Sequence, residues 1–268
     1  MAQSYPSSNI PDYEFRDLCE QWQRCRTEDL PGLFYAYDEA EVQTERIVSF
    51  RLRGSDLKAF AKHLKQQIAA HRDAPNPLDR CRLAVYLGLK EGYDGEFAQK
   101  EPHFCLILQP YSPDIEMDEF VWKMEWDPNP SFPTDPTQSP LSGRNAIPGD
   151  GAFLFVHHWL ETEHYELSTL FESSAYQLGR RVKSYRFAAQ ETESISADIA
   201  KALADDGELY VHLGRGIRVS THPFSFRPVL EVAGQTYLRR GRTYSDNNGG
   251  GGDDGTFYDY SIPIPPGP

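Results

Sequence analysis

The sequence predicts an α+β fold: two tandem, diverged β-α-β-β units with flanking helices and mostly antiparallel sheet. Three observations lead there. Hydrophobic periodicity runs helix, strand, helix, strand, strand in each half. The strand-like stretches of the halves align, with length differences confined to loops. A Pro-, Ser-, Asn- and Gly-rich stretch from Asp127 to Asp150 separates them.

Residues 1–10 carry Ser and Pro and read as a disordered N-terminus. The first unit covers residues 11–145. Phe15, Leu18, Cys19 and Trp22 fall at i, i+3, i+4 and i+7, one face of a helix that Leu30-Pro31-Gly32 ends. Ile47 to Leu52 alternates as a strand, and Gly54-Ser55-Asp56 reads as a turn with a capping residue. Leu57, Phe60, Ala61, Leu64 and Ile68 mark an amphipathic helix. After the Pro-rich loop at Ala74 to Pro77, Leu83, Val85 and Leu87 alternate in a second strand that stops at Gly88. Phe104, Leu106 and Leu108 form a third, able to pair with the second as a hairpin.

The second unit covers residues 146–245 and opens on a helical stretch from about Trp159 to Leu178. Val182 to Phe187 then lies over the first strand at an offset of 135, with Tyr185-Arg186-Phe187 on Phe50-Arg51-Leu52. A helix follows, with Ile195, Ile199, Ala202 and Leu203 on one face. Leu209, Val211, Leu213 and Gly214 match Leu83, Val85, Leu87 and Gly88, and Phe226 to Val232 matches the Phe104 strand. Residues 246–268 form a Gly-rich hinge and a Pro-rich tail of extended, polyproline-like chain. Trp126-Asp127, followed by Pro128 and Pro130, aligns with Tyr258-Asp259, followed by Pro263 and Pro265.

Trp22 in the first helix, Asp56-x-x-x-Phe60, Tyr86-Leu87-Gly88 and the Pro128 to Pro140 tail resemble a group of small uncharacterised bacterial proteins. The second unit keeps His212-Leu213-Gly214 and the tail. The resemblance implies this architecture and no catalytic residues.

Hydrophobic residues at 39% and charged residues at 25% are globular proportions, which argues against a disordered chain. The net charge of −13 disfavours attraction to nucleic acid or anionic lipid. The first residues carry no basic, apolar leader, and no run approaches the roughly 18 apolar residues of a membrane span. Cys19, Cys25, Cys81 and Cys105 all lie in the first half and form no Cys-x-x-Cys pair, so free thiols in a cytoplasmic protein are expected.

No phosphate loop, dinucleotide fingerprint, nucleophile elbow or zinc array is present. The densest titratable stretch runs from His157 to His164. On a continuous helix, His157, Glu161 and His164 share a face, and two imidazoles with a carboxylate suit Zn or Fe(II). A polar helix flank, with Trp159 packed inward, accounts for the same residues. Arg180, Arg181, Lys183 and Arg186 interleave with Tyr185 in a strand that could meet RNA or phosphate, or simply line a sheet face. In the tail, Tyr258, Tyr260, Ile262 and Ile264 place apolar groups on a tethered extended segment. That segment could join a partner's sheet edge or pack back as a final strand.

The function predicted is therefore non-enzymatic: a protein-binding or scaffold protein with a protein partner, no cofactor and no membrane attachment. The alternatives are a metal-dependent hydrolase or oxygenase at His157, Glu161 and His164, and nucleic-acid binding through the Arg180–Arg186 strand.

Overall fold

A computed structural model describes residues 8–37, 43–90, 102–113, 120–128, 149–172, 181–216, 224–235, 238, 256–258 and 262–264. The first half opens with α1 (Asp12–Arg24), whose Phe15, Leu18, Cys19 and Trp22 are buried as their spacing requires. Acidic Asp12 and Glu14 in its first turn and Arg24 in its last suit the helix dipole. A 3-10 turn (Leu30–Phe34) leads to a small antiparallel pair, β1 (Tyr35–Tyr37) and β2 (Gln43–Arg46). Then come β3 (Ser49–Leu52), α2 (Gly54–His71), β4 (Arg82–Leu89), β5 (Phe104–Tyr111), β6 (Trp122–Lys123) and β7 (Glu125–Asp127). Gly54 has φ +58°, a left-handed conformation that glycine adopts without a Cβ clash, and it turns β3 directly into α2.

The second half runs α3 (Gly149–Leu160), a 3-10 turn (His164–Glu166), α4 (Leu167–Leu170), β8 (Ser184–Arg186), α5 (Ala189–Ala202), β9 (Glu208–Arg215) and β10 (Phe226–Ala233). It closes with β11 (Thr256–Tyr258) and β12 (Ile262–Ile264). The α+β class and the antiparallel sheet stand as the sequence predicts, including the β4–β5 hairpin.

The sheets exchange strands between the halves. One has the order β6-β5-β4-β8-β12 and the other β11-β10-β9-β3-β7. β3 therefore pairs with β9 of the second half (Ser49 opposite His212, Leu52 opposite Leu209), and β8 pairs with β4 of the first (Ala84 opposite Arg186). One apolar cluster takes Leu83, Val85, Leu106 and Tyr185 from one sheet and Phe50, Val211, Leu230 and Tyr258 from the other. Leu57, Phe60 and Leu64 of α2 and Ile195 and Ile199 of α5 complete it, so the halves share one core. α1 covers the outer face of the first sheet through Phe15, Leu18 and Cys19. α3 covers the outer face of the second, with Ala152 against Val229 and Phe257.

Three local expectations are corrected. The helix expected over Trp159 to Leu178 instead ends at Leu160. There the Arg46 guanidinium donates to the carbonyls of Trp159 (2.7 Å) and Thr162 (2.6 Å), capping the helix end, while Leu167, Leu170 and Phe171 turn back into the core. Asp56 caps nothing in α2; its carboxylate accepts from the backbone N–H (3.2 Å) and hydroxyl (2.7 Å) of Ser8. The tail alignment also shifts. By register, Trp122 and Tyr258 are counterparts, opposite Leu108 and Leu230, while Trp126 lies opposite Phe50 just as Pro263 lies opposite Tyr185.

Candidate functional site

The buried polar groups come first, because a folded chain places them only where partners exist. On the α3 side of the second sheet, three adjacent strands bring Ser49 (β3), His212 (β9) and Glu231 (β10) together. Ser49 Oγ lies 2.7 Å from His212 Nδ1, and His212 Nε2 lies 2.8 Å from Glu231 Oε2. All three residues are fully buried. A tautomer that donates from Nε2 to the carboxylate leaves Nδ1 to accept from the hydroxyl, so each group is matched. The hydroxyl–imidazole–carboxylate order is that of a nucleophilic relay, but α3 covers this face. The arrangement ties a first-half strand to two second-half strands. At the equivalent positions of the other sheet stand Ser184, Tyr86 and Gln109, a neutral set.

Two arginines do similar work at the helix ends. Arg46 caps α3 as described, also bonds the Tyr35 hydroxyl and lies over the Trp159 ring. Arg181 donates to the Trp22 carbonyl (2.6 Å) and lies over the Trp22 ring, 5.2 Å from its centroid.

The expected site residues are dispersed. His157 and Glu161 pair at 3.1 Å on the outer face of α3, both more than 60% exposed. His164 falls beyond the helix end, beside the Tyr35 ring. The helix break is what removes it from the predicted face. Among the described residues, no group of three or more His, Cys, Asp or Glu is arranged to hold a metal ion. Of the basic strand, Arg180 lies outside the described residues. Arg181 is buried in the cap, Arg186 lies over the Tyr111 ring at 3.8 Å, and the Tyr185 hydroxyl donates to the Phe226 carbonyl inside the core. β8 is interior to its sheet, and these side chains are engaged within the protein.

The tail lies on the chain's own sheets: β11 pairs with β10 and β12 with β8. Tyr258 is buried, and its hydroxyl donates to Asp198 at 2.6 Å. Burial, with that carboxylate beside it, raises its pKa. Ile262 and Ile264 lie in β12, and Tyr260 lies outside the described residues. The four cysteines are free thiols; burial pushes Cys19, Cys81 and Cys105 up to about 12, which keeps them unreactive.

What the sequence reading missed is the outer face of α3. Leu154 is 46% exposed and Leu160 45%, with Tyr165 at 74% just beyond. α1 serves as an internal control, because it covers the other sheet in the same way. Trp22 Nε1 donates to the Val182 carbonyl (2.9 Å), and Trp159 Nε1 donates to the Ile47 carbonyl (2.8 Å). With Trp22 set on Trp159, Leu154 falls on Asp17, His157 on Glu20, Leu160 on Gln23 and Tyr165 on Glu28. The fold thus accepts charged and polar residues at these positions. Beside this face an open cleft of about 680 Å³ is lined by His158, Glu161, Thr169, Leu170, Arg215, Gly216 and Ser225. Arg215 is held there by Glu166 (2.8 Å) and the Thr162 hydroxyl (3.2 Å). The comparison of the two helices could have been made from the sequence, by extending the repeat from its strands back to the two tryptophans.

No family model, curated protein or solved structure matches the chain. Among the described residues, no helix is long and apolar enough to cross a membrane.

Proposed function

We propose that the protein is a non-enzymatic binding protein and that a protein partner docks on the outer face of α3. The observation that carries this reading is the contrast with α1: Leu154, Leu160 and Tyr165 stand where Asp17, Gln23 and Glu28 serve the same fold. Exposed apolar side chains rimmed by charge are the composition of a docking patch. The partner is basic around an apolar centre. The chain's charge of −13 attracts such a surface, and a Lys or Arg entering the adjacent cleft meets Glu161.

The test exchanges the face for its counterpart residues, as L154D/L160Q/Y165E, with the circular dichroism spectrum as a check of folding. Tagged wild type and variant are compared in capture from extract of the source cells. Each captured protein is purified and titrated back. The reading expects a basic protein at one-to-one ratio, binding at least tenfold weaker to the variant and weakening as salt rises. Equal capture by both chains, or self-association of this chain through the face, would refute it.

A further inference from the structure

The aromatic centre of the core repeats itself in pairs. Trp22 meets Phe171 at 5.2 Å and Phe34 meets Trp159 at 5.2 Å, so each residue contacts the other half's equivalent of its own partner. Within the halves, Trp22–Phe34 and Trp159–Phe171 are both 6.4 Å. Phe34 stacks on its own counterpart Phe171 at 5.1 Å and 8°. Reciprocal contacts, with like residues meeting at the centre, are the signature of a two-fold interface between equal units.

The backbone repeats the pattern. Ile47 N donates to Phe34 O (2.9 Å) and Val182 N to Phe171 O (2.9 Å). Across the exchanged strands, Leu213 N donates to Val48 O (2.7 Å) and Leu87 N to Lys183 O (3.2 Å). The residues that make these contacts recur in sequence. Trp22, Leu30, Leu33 and Phe34 keep the spacing of Trp159, Leu167, Leu170 and Phe171, and Arg46, Ser49 and Arg51 that of Arg181, Ser184 and Arg186.

We infer that the chain is a covalently joined pair of one duplicated unit, and that each half presents an interaction surface whose fitting partner is a second copy of that unit. The surface of the first half is the edge of β4 opposite β5, with the Trp22 carbonyl and indole; the element that occupies it is the Arg-x-x-Ser-aromatic-Arg strand of the other half. The surface of the second half is the edge of β9 with Trp159. The segment joining the halves sets their stoichiometry and is not needed to hold them together.

The test uses the full chain with a specific protease site in place of residues 137–141, cut after folding. The cut protein is expected to elute as one species of unchanged size, to hold both fragments together through 1 M salt and hundredfold dilution, and to keep its spectrum. Its thermal midpoint becomes concentration-dependent, by about 3 °C for each tenfold dilution, while that of the uncut chain does not move. Fragments that separate on cutting while keeping their own spectra, or a cut protein whose midpoint is indifferent to concentration, would overturn the inference.

Discussion

Replacing Trp159 by Phe removes an indole N–H whose acceptor, the Ile47 carbonyl, sits just before the exchanged strand β3. The side chain is fully buried, so two costs add. The lost ring volume costs about 1–2 kcal/mol, and a buried carbonyl deprived of its donor about 1–3 kcal/mol. Trp22→Phe carries the same volume term. The Val182 carbonyl, however, also accepts from Gln23 Nε2 at 3.4 Å, so part of the second cost is spared. The expected losses are about 3 kcal/mol for W159F and about 2 kcal/mol for W22F, or roughly 4–12 °C in melting temperature for a chain of this size. Guanidinium unfolding followed by fluorescence and by circular dichroism measures both. Because the halves share one core, each variant should unfold in a single transition shifted as a whole. Two transitions, only one of which moves with each substitution, would refute the shared core. Losses below 1 kcal/mol for both would refute the role given to the indole bonds.

Other consequences are open to the same measurements. A Cβ at Gly214 would lie 2.8 Å from the Arg227 carbonyl and 3.1 Å from Phe155, so G214A should cost about 2 kcal/mol as α3 or β10 is pushed away. An unchanged urea midpoint would show the contact to be soft. Burial holds His63, stacked on Phe120, down to about 4 from its ordinary value. Its folded pKa being depressed, the stability it leaves intact above about pH 6.5 is lost as pH falls toward 4, on the order of 2 kcal/mol in all. H63Q should flatten that part of the pH–stability curve, and a curve unchanged in shape would clear His63 of the effect. For the buried relay, H212Y or E231Q alone strands a partner and should cost about 2–4 kcal/mol. The double variant installs the Tyr and Gln of the other sheet, where the buried Ser184 hydroxyl and Gln109 Oε1 make no hydrogen bond among the described residues, so it removes the stranded charge but should recover only part of the loss; simple additivity in the double-mutant cycle would deny the coupling.

Periodicity made the helices and long strands legible because Leu83, Val85 and Leu87, or Ile195 and Ile199, report burial locally. It does not report which strand a strand pairs with. β3 and β8 carry the same Arg-x-x-Ser-aromatic-Arg order, so either would suit the edge of β4 or β9, and alternation alone leaves the exchange open. The relay was hidden for a related reason. His212 and Glu231 occupy the alternate positions of their strands, which read as solvent-facing until α3 is known to lie over them. The His157–Glu161–His164 cluster failed in the opposite direction: its helical spacing assumed a helix that Arg46, more than a hundred residues away, caps at Leu160.

A fold that carries its own counterpart gives a means of separating residues kept for architecture from residues kept for use. Where both halves hold the same group in the same contact, as with the two tryptophans and the two arginines, the contact itself explains the residue. Where the halves differ inside the protein, as at His212 and Tyr86, two chemistries satisfy one position, and the difference bears on packing and stability. A difference at the surface has neither explanation. Asp17 and Leu154 sit on equivalent helices over equivalent sheets, and water favours the aspartate. The fold does not require the exposed Leu154, Leu160 or Tyr165, and that is why the proposed docking face is placed on them rather than on a position that both halves fill alike.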